Sequence, residues 1–65
     1  MKSIQEIINE AKEITIISGE GTQGTTEQYT GKRTVQAIKA RLTKEAAGGD
    51  RWAKVKIDGI VYSLD

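Results

Sequence analysis

The side chains that most often carry out catalysis are scarce in this chain of 65 residues. It has no cysteine and no histidine, which removes thiol nucleophiles, disulfides, imidazole and thiolate metal ligands, and the usual general base at neutral pH. Carboxylates are present, but Glu6, Glu10 and Glu13 fall on a predicted helix surface and Asp58 falls in a predicted turn. So small a chain has little interior in which a pocket could shift their pKa values. The sequence therefore predicts a protein that is not an enzyme and binds no metal or cofactor.

Residues 19 to 24 contain a glycine motif that resembles a nucleotide-binding loop but lacks the elements that such a loop requires. Gly19, Gly21 and Gly24 spell G-x-G-x-x-G directly after a predicted strand, which by itself is the dinucleotide-binding fingerprint. That fold needs a helix at the last glycine, a parallel strand beyond it and an acidic residue about 20 positions further on. None of these follows Gly24, and the chain is too short for the fold. We therefore interpret residues 19 to 24 as a mobile turn.

Basic residues are concentrated in the second half of the chain. Between residues 32 and 56, eight Lys and Arg stand against two acids, a net charge of +6, although the whole chain carries only +1. Such a cluster can bind a phosphate backbone, and Trp52 beside Lys54 and Lys56 offers a ring on which a base can stack. The lysines have a second interpretation, because charges on a hairpin also keep it soluble and protect its edge. The predicted binding residues are Arg33, Arg41, Lys44, Arg51, Trp52, Lys54, Lys56 and Val61.

The same surface is open to other interpretations. An exposed aromatic and aliphatic pair, Trp52 and Val61, is also typical of a protein-binding surface. The alternative to nucleic-acid binding is thus a small protein-binding inhibitor or adaptor of the type that phages and mobile elements encode, for example an anti-defence protein that acts on a host complex. Trp52 can equally be ordinary packing over the end of a hairpin. A homodimer is a third possibility, since a small domain can complete its sheet with a second copy. The sequence does not choose between DNA, RNA and protein partners.

Two helices are predicted from capping residues and apolar spacing. Ser3 followed by Glu6 forms a capping box, and the apolar residues that follow it recur at helical intervals. A second helix is predicted to begin between Thr30 and Thr34 and to end at Ala47, before Gly48-Gly49. The apolar stripes of the two helices are Ile4, Ile7, Ile8 and Ala11 in the first, and Val35, Ile38, Leu42 and Ala46 in the second.

The remaining patterns predict strands. Residues 14–18 are a β-branched run, and residues 25–30 are a possible second strand. At the C-terminus, Asp58-Gly59 is the pair that a type I′ hairpin turn prefers, and such a turn pairs Ile57 with Ile60. One face of the hairpin is then apolar, with Ala53, Val55, Ile57, Ile60, Tyr62 and Leu64. The other face carries Trp52, Lys54, Lys56, Val61, Ser63 and Asp65.

Together these elements predict one small α+β domain spanning residues 1–65. We expect a single-layer antiparallel sheet with both helices packed on one face and a C-terminal hairpin closed by a type I′ Asp-Gly turn. The chain has no apolar run long enough for a membrane span or a signal peptide, which predicts no membrane partner. The lack of disulfides in so small a chain favours a reducing compartment, so we expect the cytoplasm.

Overall fold

The computed structural model describes residues 1–64 and has the predicted α+β fold. Four strands form one open antiparallel sheet in the order β2-β1-β3-β4. Neither helix within residues 1–64 is long and apolar enough to cross a membrane. Asp65, which the sequence pairs with Trp52, lies outside the described residues. In chain order the elements are α1 (Ile4–Glu10), β1 (Ile14–Glu20), β2 (Gln23–Gln28), α2 (Val35–Glu45), β3 (Arg51–Ile57) and β4 (Ile60–Tyr62).

Both helices begin at capping residues that the sequence makes visible. The Ser3 hydroxyl accepts a hydrogen bond from the Glu6 N–H at 3.2 Å, and the Thr34 hydroxyl accepts one from the Ala37 N–H at 3.1 Å. Each bond satisfies one of the free donors in a first helical turn. At 7 and 11 residues the helices are too short to be stable alone, so packing on the sheet must hold them.

The prediction of a mobile turn at residues 19 to 24 is wrong. β1 continues to Glu20, β2 begins at Gln23, and Gly19 pairs directly with Gly24 across the two strands. Only Gly21 and Thr22 form the turn, and Gly21 has a φ of +62°, where glycine is favoured. The two outer glycines are strand residues because an antiparallel partner supplies the backbone hydrogen bonds that hold them extended.

The C-terminal hairpin has the predicted register, with Ile57 opposite Ile60. Asp58 and Gly59 have φ values of +48° and +88°, and a two-residue turn of type I′ needs positive φ at both positions. β4 ends at Tyr62, so the same register's predicted pairs of Lys54 with Ser63 and of Ala53 with Leu64 are not part of the described ladder. The Asp58 carboxylate also accepts the N–H groups of Lys12 and Glu13, which ties the turn to the segment between α1 and β1.

The core lies between the helices and one face of the sheet. Ile60 is the exception on the face predicted to be apolar, because it lies on the edge strand and is 58% exposed. The core contains aliphatic residues alone among the described positions, and a domain this small depends on them for most of its stability. Its buried members are Ile8, Ala11, Ile14, Ile16, Ile38, Val55, Ile57 and Leu64.

Candidate functional site

The sheet face that points away from the helices is the candidate site, and we call it the open face. Its residues follow from the register, because cross-strand partners share a face and alternate with the buried positions. None of these strand positions carries a carboxylate, and two carry lysine. They are Thr15, Ile17 and Gly19 of β1, Gly24, Thr26 and Gln28 of β2, Trp52, Lys54 and Lys56 of β3, and Val61 of β4.

Trp52 lies across a floor made of two glycines. It pairs with Gly19 of β1, which in turn pairs with Gly24 of β2. A Cβ atom added to Gly24 would be 2.8 Å from Cη2 of the Trp52 ring, so the ring covers that glycine closely. The indole N–H donates to the carbonyl oxygen of Gly21 at 2.8 Å. Its polar group is therefore satisfied, and the half-buried ring is fixed on the sheet.

The two lysines of the open face follow Trp52 along the same strand. Lys54 Nζ lies 5.6 Å from the centre of the Trp52 ring, within range of a cation–π contact. Lys56 shares a shallow surface hollow with Glu13 and Asp58 at the turn end of the face. Within residues 1–64 neither lysine forms an ion pair. Both ammonium groups are thus available to an anionic partner, and none of the described residues that line the groove beside Lys54 is acidic.

Arg33, a predicted binding residue, is used within the fold. Its Nη1 atom donates to the carbonyl oxygen of Ala11 at 2.6 Å and to that of Ile8 at 3.5 Å. These carbonyls lie at the C-terminal end of α1, where a helix leaves acceptors free and favours positive charge. The guanidinium therefore caps the first helix.

Arg41 and Arg51 are also engaged internally. Arg41 forms ion pairs with Glu27 of β2 and Glu45 of α2, both at 3.0 Å, and its side chain is 31% exposed. These two carboxylates, chiefly through the hydrogen bond with Glu27, raise the pKa of Arg41 above its already high usual value. Arg51 Nε donates to the carbonyl oxygen of Glu45 at 2.9 Å, at the end of α2. All three arginines of the chain thus stabilise its own elements.

The predicted binding residues therefore form two groups on opposite sides of the sheet. Trp52, Lys54, Lys56 and Val61 lie together on the open face. Lys44 lies exposed on α2, on the side where the helices pack. The structure brings together the hairpin residues but leaves Lys44, the predicted binding residue of α2, on the other side.

A groove connects the edges of these two sides. It lies between α2 and the hairpin, encloses about 570 Å³, and has Lys39 and Lys54 on its walls. Its other lining is largely apolar, with Leu42, Ala46, Ala53, Val61, Tyr62 and Leu64. In size and lining it falls in the range of grooves that bind ligands or peptide side chains.

Two parts of the open face are missed by sequence reasoning. Ile17 lies half-buried at its centre, between Thr26 and Lys54, although the sequence gives no sign of which face it occupies. The glycine floor is missed because the pairing of β1 with β3 spans more than 30 residues. The sequence feature that could have indicated this floor is the presence of a single tryptophan and a glycine-rich segment in the same short chain.

No protein-family model, curated protein or solved structure matches this chain. Within residues 1–64, no group of three or more side chains is suited to hold a metal ion. The function is therefore inferred from the residues of the open face.

Proposed function

We propose that this protein is a non-catalytic domain that binds single-stranded nucleic acid on its open face. One observation carries the proposal: Trp52, Lys54 and Lys56 lie in one row along β3, on strand positions that include no carboxylate. Single-stranded nucleic acid offers what such a row can bind, namely unpaired bases for the ring and phosphates for the ammonium groups.

Trp52 is the stacking residue in this proposal. Because the glycine floor and the bond to Gly21 already fix the ring, little side-chain freedom is lost when a base stacks on its outer surface. Base stacking on an aromatic side chain contributes about 1–3 kcal/mol and tolerates different bases, since every base has a π face. In the structure the Lys54 ammonium group lies 5.6 Å from the ring centre. When a base stacks on the ring, this group moves away from the ring and contacts the phosphate of the stacked nucleotide.

The lysines supply the electrostatic part of the affinity. Each phosphate that a lysine neutralises releases a counterion, so the affinity must fall as salt is added. Lys54 contributes more than Lys56, because Glu13 and Asp58 border the hollow around Lys56 and oppose the approach of a phosphate. Lys44 of α2 lies on the other side of the sheet and outside this track, whereas Lys39 shares a groove with Lys54 and lies near one edge of it.

The proposal is tested by a titration with single-stranded oligonucleotides, followed by the emission of the chain's single tryptophan. The key variant is Lys54→Gln with Lys56→Gln, and the matched control is Lys32→Gln with Lys44→Gln, which removes the same charge from exposed positions outside the open face. We expect quenching of Trp52, a marked loss of affinity in the hairpin variant and near wild-type affinity in the control. The hairpin variant should also lower the slope of log affinity against log salt by about 1.4, for two single-strand phosphates. An equal loss in both variants, or no binding at low salt, would refute the proposed face.

A protein-binding inhibitor or adaptor is the second candidate, and a different observation favours it. Val61 is 51% exposed and lines the groove beside α2, whose other lining is largely apolar. An exposed aliphatic side chain at the rim of an apolar groove is typical of a docking surface for a protein segment. In this case Val61→Glu should abolish a stoichiometric complex with a purified host protein, whereas Lys56→Gln, which lies outside the groove, should leave it intact. The reverse pattern would exclude the groove as the docking surface.

A further inference from the structure

The outer edge of β2 exposes a regular set of backbone groups. β2 borders only β1, and the Tyr29 N–H bonds the Ile14 carbonyl at 2.8 Å, just beyond the last strand pair. In an antiparallel ladder, residues whose backbone N–H and C=O bond one neighbouring strand alternate with residues whose backbone groups point the opposite way. Since Tyr29 bonds β1, the odd-numbered residues of β2 bond β1, and the even-numbered residues point their backbone groups away from it. Gly24, Thr26 and Gln28 therefore each direct an N–H and a C=O away from the sheet.

This edge is unprotected, in contrast to the other one. β2 is six residues long, is exposed throughout, and contains no lysine and no proline. Lysine, proline, bulges and short length are the usual devices that keep an edge strand from pairing with another chain. β4 has three residues, of which Val61 alone points its backbone groups outward. The two edges thus differ in whether they invite a further strand.

We propose that two copies of the protein pair through β2 in an antiparallel ladder, with Thr26 on a two-fold axis perpendicular to the sheet. In this register Thr26 faces Thr26 of the second copy, and Gly24 faces Gln28. All three outward residues of each copy are then used, giving six backbone hydrogen bonds. A shift of two residues in either direction leaves one outward residue of each copy unpaired and reduces the number to four. Shifts of one residue would pair outward groups with inward ones.

A second copy fits this edge better than an unrelated strand does. The outward residues are symmetric about Thr26, so the two-fold axis places each donor opposite an acceptor without any other sequence requirement. The single charge on the strand, Glu27, is paired with Arg41 of its own chain and is therefore shielded from the second copy. In the proposed register, Glu27 of one copy would lie opposite Thr25 of the other copy, so the two Glu27 carboxylates would not face each other directly.

The dimer would carry both open faces on the same side of one eight-stranded sheet. The two rows of Trp52, Lys54 and Lys56 would then form a longer surface, so that one ligand strand can engage both copies and gain from the second contact. The pairing itself needs no nucleic acid and stands or falls independently of the proposed function.

Sedimentation equilibrium tests the pairing, with concentrations up to about 1 mM, because two six-residue strands form a small and therefore weak interface. The key variant is Thr26→Pro, which removes an outward N–H but none that bonds β1, so its fold should survive. The control is Thr26→Val, which keeps the backbone donor. We expect concentration-dependent dimers of the wild type and Thr26→Val, and at least tenfold weaker association of Thr26→Pro. A wild type that stays monomeric at about 1 mM, or a Thr26→Pro variant that dimerises normally, would overturn the proposal.

Cysteine crosslinking checks the register and does not depend on whether the proline variant folds. The chain has no cysteine, so one introduced thiol can react only with its counterpart in another copy. Cα atoms of a hydrogen-bonded pair lie about 5.5 Å apart, which suits a disulfide. Thr26→Cys should form a covalent dimer under mild oxidation, whereas Thr25→Cys, whose side chain lies on the other face and off the axis, should not. Equal crosslinking of both variants would refute this register.

Discussion

The two faces of the sheet are built from alternate residues of the same strands and yet differ in burial and charge. On β3, Val55 and Ile57 are fully buried under the helices, whereas Lys54 and Lys56 point to the open face. Burial on one side stabilises the domain, and charge on the other side is left without an ion pair in residues 1–64. If the proposed function holds, one strand serves stability on one face and recognition on the other, and substitutions of neighbouring residues should have unrelated effects.

The largest effect is expected from the covered face. Ile57→Ala removes a side chain that is 1% exposed and leaves a cavity in a small core. The free energy of unfolding should fall by about 2–5 kcal/mol, which is a large part of the stability of so short a chain. Urea denaturation followed by far-UV circular dichroism measures the change. Lys56→Ala, one residue away, is the control and should change it by less than about 0.5 kcal/mol. Equal losses would show that the two faces do not differ as proposed.

A smaller loss is expected from the glycine floor of the open face. A Cβ atom at Gly19 would lie 1.9 Å from the carbonyl oxygen of Gln23, so Gly19→Ala must displace the β2 backbone. We expect a loss of about 1–3 kcal/mol and a change in Trp52 emission, because the ring rests across this residue pair. Gly49→Ala is the matched control, since a Cβ atom there meets nothing within 4 Å. If Gly19→Ala had wild-type stability and emission, the floor would not hold the ring.

What the sequence reveals of this fold is what short-range chemistry determines. The Ser3 cap and the Asp58-Gly59 turn act within a few residues, and each was predictable from residue type and spacing. Trp52, Lys54 and Lys56 share a face because side chains alternate along a strand, and the turn adds Val61 to that face by placing it opposite Lys56. The predicted part of the site is therefore the part that strand alternation and one local turn position.

What the sequence could not reveal depends on contacts between distant segments. Arg33 lies 22 residues from Ala11, and nothing local distinguishes a helix-capping guanidinium from a phosphate-binding one. Considered alone, Gly19 and Gly24 predict a loop, because glycine disfavours strands. Only the pairing of β1 with β3 places Trp52 over them, and that pairing joins segments more than 30 residues apart.

Arg33, unlike the lysines of the open face, is a charged residue that is engaged within the fold. Arg33→Met removes the donor to the Ala11 carbonyl at the end of α1, and the free energy of unfolding should fall by about 1–2 kcal/mol. Lys32→Met removes the same charge from the exposed neighbouring residue and should be nearly neutral. Thermal unfolding of the two variants and the wild type measures the difference in stability. Similar melting temperatures for both variants would mean that the cap contributes little.

The smallest effect on stability should accompany the largest effect on binding. Lys54→Gln removes an exposed ammonium group that has no ion pair within residues 1–64, so the free energy of unfolding should change by less than about 0.5 kcal/mol. Its affinity for a single-stranded oligonucleotide should nevertheless fall, and more than that of Lys56→Gln, which lies beside Glu13 and Asp58. Fluorescence titration at two salt concentrations measures the affinities of the two variants. If Lys56→Gln proved the weaker binder, the phosphate track would run toward the turn end of the open face, and Trp52 would not mark its centre.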